Sequence, residues 1–112
     1  MRPESAAFLR DMFDSAESII AATQGKSKKE FVSDRILIAA VHWNFCVIGE
    51  ALSKLHREDA VVAEQISEWR RIIGFRNQLI HGYRLVSPRI TWRIIIEKLP
   101  ILRAELESLL KQ

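Results

Sequence analysis

The sequence predicts an all-α protein: an antiparallel bundle of four to five helices forming one domain over residues 1–112. Three observations carry this. Apolar residues recur at three- and four-residue spacing along most of the chain, the period of a helix with one buried face. Four Gly and three Pro in 112 residues are too few to punctuate a many-turned β fold. Strand-like alternation of apolar and polar residues is absent.

The first helix is expected over about Glu4 to Thr23, where Phe8, Leu9, Met12, Phe13, Ala16, Ile19 and Ile20 form one stripe. Gly25 follows as a C-terminal stop. Ser27 and Glu30 then form a capping box, in which each side chain satisfies an orphan amide of a helix start. The helix they open is expected to run to about Leu55. Its middle, Ile36 to Leu52, is apolar on nearly all sides, so it should lie at the centre of the bundle or be covered in part by a second subunit. Glu50 interrupts that surface, and a carboxylate there calls for a partner. After a polar connection and a short helical piece from Ala60, Ser67 is expected to cap a third helix carrying Trp69, Ile72, Ile73, Leu79 and Ile80, with Gly82 ending it. Ser87 and Pro88 mark the next start, as N-cap and first helical residue. Ile90, Ile94, Ile95 and Leu99 line that last helix, Pro100 should kink or interrupt it, and Leu102, Leu106, Leu109 and Leu110 continue its stripe.

The totals narrow the function. With 48% apolar and 28% charged residues the chain is globular. The single cysteine, Cys46, has no internal disulfide partner and suits a buried thiol in a reducing compartment. No charged-then-apolar leader opens the chain, and the longest apolar run, Ile36 to Ile48, is broken by His42 and Asn44. A soluble, cytoplasmic protein without membrane attachment is expected. His42, His56 and Cys46 lack metal-ligand spacing, and there is no glycine-rich phosphate loop or nucleophile elbow. No metal and no cofactor are therefore expected.

Charge is unevenly placed. From Trp69 to Ile96 there is no acidic residue, yet there are six arginines: Arg70, Arg71, Arg76, Arg84, Arg89 and Arg93. The chain's net charge is only +3, so the remainder is net negative. Arginine's planar fork of donors suits phosphate, so a nucleic acid is a natural ligand; a solvated basic face is the plainer alternative. On a helical projection Arg76 falls within the apolar stripe formed by Ile72, Leu79, Trp69 and Ile80. A guanidinium there needs a carboxylate such as Glu50, a water-filled cleft or a phosphate. Continued helically, Tyr83 would lie on the same line as Arg76. Asn77 and His81, four residues apart, stack on the adjoining face.

The segment Arg76–Tyr83, RNQLIHGY, resembles the R-N-x-x-x-H-x-Y signature of HEPN-domain proteins, and in particular the R-x-x-x-x-H-x-Y pattern of HepT-like toxins. Its flanks are similar too: Ile48-Gly49-Glu50-Ala51, the run Trp69 to Phe75 before the motif, and Trp92 to Ile95 with Leu99-Pro100 after it. The resemblance covers most of the chain from about Ile36 and is weakest in the first helix. It implies a helical bundle that dimerises through the motif face to form a composite cleft. It implies a metal-independent endoribonuclease, the toxin of a type VII toxin–antitoxin pair. The antitoxin would be a minimal nucleotidyltransferase that transfers AMP to the motif tyrosine. Carried over, Arg76 and His81 are the catalytic pair, Asn77 and Tyr83 support them, and Tyr83 is also the modification site and a candidate RNA contact. Arg70, Arg71, Arg84, Arg89 and Arg93 would contact RNA phosphates. Two other readings stay open: a non-catalytic RNA- or nucleotide-binding partner of a nucleotidyltransferase, and a dimeric scaffold in which Arg76 only pairs with Glu50.

Overall fold

A computed structural model describes all residues, 1–112, and contains helices without strands. In chain order they are α1 (Pro3–Thr23), α2 (Lys28–Val32), α3 (Arg35–Glu58), α4 (Ala60–Ala63), α5 (Trp69–His81), a 3₁₀ turn (Tyr83–Leu85), α6 (Pro88–Glu97) and α7 (Leu99–Leu110). The expected all-α bundle is present.

Helix α3 is the organiser. Both α1 and α5 pack on it, α7 packs on α1, and α2 packs on α6. The core is built from three matching stripes: Leu9, Met12, Ala16 and Ile19 of α1; Val41, Phe45, Ile48, Leu52 and Leu55 of α3; and Ile95, Leu99, Leu102, Leu106 and Leu109 of α6 and α7. Each stripe steps by three or four residues, the spacing that keeps side chains on one face. By length and composition α3 could cross a membrane, with mean hydropathy 1.5 over its most apolar window. Part of that apolarity faces the core, at Val41, Phe45, Ile48, Leu52 and Leu55, and part of it, at Ile36 and Trp43, is exposed.

Two boundaries differ from the sequence reading. The capping box forms as expected, with Ser27 accepting from the Glu30 amide and Glu30 from the Ser27 amide. The helix it opens, however, stops at Val32. Ser33 turns its hydroxyl back to the Lys29 carbonyl, and the Asp34 carboxylate accepts from the Leu37 amide at 3.0 Å to start α3 afresh. Aspartate competes with the backbone inside a helix and stabilises a helix start by about 1 kcal/mol, so the chain breaks where the better cap lies. Second, Ser67 does not cap α5. Its amide and hydroxyl both donate to the Glu105 carboxylate of α7, and Glu68 takes the N-cap position in the left-handed region, φ 56°. That conformation is costly for a residue with a Cβ. Glu68 is held there by Lys98 at 3.1 Å and Arg71 at 3.3 Å. Pro100 interrupts the last helix as expected, separating α6 from α7, because a proline suits the first turn of α7 and not the interior of a longer helix. The core stripe continues in register across that break.

Candidate active site

Helix α5 carries the motif and rests on α3 through an unusually close contact. A Cβ built on Gly49 would lie 2.3 Å from the Arg76 Cβ and 2.8 Å from its Cγ. Only a residue without a side chain lets the two helices meet there. The next residue, Glu50, meets the other end of the same arginine: Arg76 Nη2 donates to Glu50 Oε2 at 2.7 Å. Arg76 Nη1 donates to Asn77 Oδ1 at 3.0 Å, and Lys54 Nζ stands 3.7 Å from the remaining Glu50 oxygen. A line Lys54–Glu50–Arg76–Asn77 results. The Arg76 side chain is 26% exposed, and its Nε is buried without an acceptor. The charge that sequence periodicity placed in an apolar stripe is thus met by one carboxylate and one amide, with part of its donor capacity unused.

This line opens onto a groove of about 310 Å³ between α1, α3 and α5, whose walls include Phe8, Trp43, Val47 and Ile80. Cys46 also lines it and is half-buried; burial pushes the thiol up, with the Arg76 charge acting against that. Trp43 is 69% exposed and Ile36, two turns earlier on α3, is 80% exposed. Trp43 and the exposed Ile80 share the groove with Arg76, and Ile36 extends the uncovered apolar surface further along α3. The sequence reading anticipates a covered face on α3 without naming Trp43. A tryptophan on the uncovered face of a central helix is the signal that could have found it.

His81 sits in the last turn of α5 and is exposed, and Gly82 closes the helix by donating its amide to the Gln78 carbonyl. The chain then leaves the helical line, so Tyr83 falls in the 3₁₀ turn, 66% exposed. The structure therefore joins Arg76 and Asn77 directly. It leaves His81 and Tyr83 at the free end of α5, outside the walls of the Arg76 groove.

The arginine field is less uniform in space than along the chain. Arg71 meets Glu68 at 3.3 Å and Arg93 approaches Glu97 at 3.9 Å, both carboxylates lying just beyond the acid-free stretch. Arg70 lies over the Trp69 ring, 4.5 Å from its centre. Arg84 and Arg89 are exposed on either side of the 3₁₀ turn, next to Tyr83 and to the start of α6.

A helical bundle that holds an arginine at a groove, with a histidine five residues on and a tyrosine just past the helix end, has the make-up of a HEPN-type ribonuclease domain. The chain belongs to the family described as ribonuclease HepT-like, whose model matches residues 12–109. Among its relatives is a "Putative RNase" of Caldanaerobacter subterraneus subsp. tengcongensis, 30% identical over 94% of this chain and 93% of the relative. A "Putative RNase" of Methanocaldococcus jannaschii is 33% identical, covering 94% of this chain and 86% of its own. A "Probable ribonuclease HepT" of Thermococcus cleftensis is 29% identical over 93% and 94%. No solved structure matches the chain.

Proposed function

We propose that this protein is the toxin of a toxin–antitoxin pair and acts as a dimeric, metal-independent endoribonuclease. Family membership supplies the ribonuclease class. The observation that carries the finer reading is the intact Arg76-x-x-x-x-His81-x-Tyr83 motif, with its arginine held at a groove by Glu50 and its histidine free in solvent.

RNA brings its own nucleophile. One His81 imidazole takes the proton of a 2′-hydroxyl, whose oxygen attacks the adjacent phosphorus. The bond from phosphorus to the 5′-oxygen breaks, and a second, protonated His81 gives its proton to that oxygen. A 2′,3′-cyclic phosphate and a 5′-hydroxyl result. Histidine's ordinary titration range lies nearest neutrality, which suits both steps. Arg76 meets the charge that builds on the non-bridging oxygens. One chain carries one motif histidine, so acid and base on opposite sides of the bond require two copies. The uncovered Trp43 and Ile80 beside Arg76, with Ile36 further along α3, offer a surface for that second copy. Arg70, Arg71, Arg84, Arg89 and Arg93 extend the phosphate contacts.

Control falls to Tyr83. A nucleotidyltransferase antitoxin would join the tyrosine oxygen to the α-phosphorus of ATP, releasing pyrophosphate. The added phosphate would neutralise nearby arginine charge and occupy the substrate's place. The exposure of Tyr83 favours such access.

Purified protein incubated with RNA and a metal chelator should cleave it, leaving cyclic-phosphate ends. A His81→Ala protein should be slower by about 10²–10⁴-fold, the usual worth of general acid–base catalysis. Equal cleavage by both proteins removes the assigned role. Tyr83→Phe should remain active and escape silencing by the partner; silencing equal to wild type would place the modification elsewhere. The Arg76–Glu50 pair also favours a second reading, in which the motif arginine is structural. RNA binding left intact in Arg76→Ala, with stability lost, would select it.

A further inference from the structure

We propose that Glu50 is a positioning residue for the ribonuclease reaction, acting through Arg76. This inference rests on the ribonuclease reading above and adds to it the device that aims the arginine.

Arginine is a long side chain with many rotamers, and an unaimed guanidinium on an exposed helix would sample most of them. Arg76 is held at both ends by two consecutive residues of α3. Gly49 admits its Cβ at a distance no other residue type permits, and Glu50 takes its Nη2 at 2.7 Å. Asn77 takes Nη1 at 3.0 Å. The Glu50 carboxylate is itself oriented, since Lys54, one turn along α3, faces its other oxygen at 3.7 Å. A guanidinium has five N–H groups. Glu50 and Asn77 each take one and Nε–H is buried, which leaves two N–H groups on the Nη atoms. Those two are the donors the clamp directs at a phosphate in the groove. The pairing also explains the charge on α3: a carboxylate among apolar neighbours is retained because it holds the group that meets the substrate.

The alternative role for the same contact is competition, in which Glu50 occupies the phosphate's place until RNA displaces it. The two roles predict opposite changes. If Glu50 aims Arg76, Glu50→Ala should lower kcat by about tenfold or more with a smaller change in KM, the mark of an interaction made in the transition state. Glu50→Gln, whose carbonyl accepts the same N–H, should restore most of the rate. If Glu50 competes, both variants should bind RNA more tightly and cleave at least as fast as wild type, and the proposal is overturned. It is also overturned if Glu50→Gln is as slow as Glu50→Ala.

Nitrogen-15 spectra of the arginine side chains supply a readout that does not need cleavage. The Arg76 Nε–H signal should be sharp and protected in wild type and in Glu50→Gln, and exchange-broadened in Glu50→Ala, in samples whose melting curves show a folded bundle. An unchanged signal in Glu50→Ala refutes the positioning role. Wild-type protein that cuts no RNA refutes the ribonuclease reading alone, because the spectra still decide whether Glu50 orders Arg76.

Discussion

The two long helices that pack on α3, α1 and α5, are built to different standards. Helix α1 sends Leu9, Met12, Ala16 and Ile19 completely out of solvent against α3 and α7. Helix α5 is also amphipathic, but Leu79 is its one buried residue, and α3 is the only other main helix it packs on extensively. Between α5 and the α6–α7 arm there is instead an apolar cavity of about 440 Å³, lined by Phe45, Ile72, Phe75, Ile94 and Leu102. The difference separates labour within one small domain. The α1–α3–α7 side stores the stability. The α5 side, loosely covered and ending in exposed Tyr83 and Leu85, carries the R-x-x-x-x-H-x-Y motif. Regions that bind and react are drawn from the less buried parts of a fold because they must stay accessible.

Substitutions on the two sides should therefore separate stability from activity. The largest expected loss of stability lies in the core that α1 covers. Leu52 is completely buried there, so Leu52→Ala removes apolar contacts and leaves a void, at a cost of about 2–5 kcal/mol. Urea denaturation should show that loss, while the surviving folded protein cleaves RNA at the wild-type rate per folded molecule. A large fall in the rate per folded molecule would show that the core and the site are not independent.

Gly49→Ala tests the seam between the two sides. The added methyl would collide with the Arg76 Cβ, which cannot swing away because it is fixed to the α5 backbone. Helix α5 must then shift from α3. Overpacking of this kind costs about 1–3 kcal/mol. The loss of cleavage should exceed what that destabilisation explains, because the shift also pulls Arg76 from Glu50. Retained activity with an unchanged melting temperature would mean that the helices do not approach as closely as the geometry requires.

How much of this is legible in the sequence follows the same division. The α1, α3 and α6–α7 stripes are readable because burial imposes one period, and the capping box and Ser87-Pro88 start form as local chemistry dictates. Of the boundaries that sequence misplaces, the break after Val32 rests on a local cap, Asp34, while the start of α5 is settled by distant partners. Ser67 is diverted from capping by Glu105, 38 residues away, and Glu68 is held in a left-handed conformation by Lys98. Periodicity singles out Arg76 as a charge in need of a partner and names Glu50 as one candidate, and the structure supplies that pair. It does not reveal that Gly49 is a contact residue, since a glycine's role as a place of close approach depends on which helix crosses it. The arginine stretch looks unopposed because Glu68 and Glu97 lie just outside it in sequence yet within ion-pair reach in space. Gly82 ends the helix as expected, so Tyr83 does not take the position in line with Arg76 that a continued helix would give it.

The smallest expected effect concerns acid stability, and it falls on the contact between α3 and α6. His42 Nε2 lies 2.9 Å from the buried Thr91 hydroxyl, and its ring meets Phe75 edge-on. Burial pulls the imidazole below its ordinary value of 6.5. The neutral form is thus favoured in the folded chain, and at mildly acid pH the unfolded chain binds the extra proton more readily. Stability from this residue is complete above pH 6.5 and is lost as the pH falls from there through the lowered folded value. A second, separate loss begins at lower pH. Glu17, Glu30 and Asp59 are held below the usual carboxylate range, first by hydrogen bonds from the Arg103 guanidinium, the Ser27 amide and the Ser5 hydroxyl respectively. Their contribution is present above the ordinary values of 4.5 and 3.8 and is lost as the pH falls through the lowered folded ones. Melting temperatures measured from pH 7.5 downward, to about pH 3, resolve the two windows. His42→Gln, which can still hydrogen-bond Thr91 but does not titrate, should flatten the upper one and leave the lower one in place. An upper window of the same depth in His42→Gln would assign the mild-acid loss to another group, and the α3–α6 contact would then be no weaker in acid than the rest of the core.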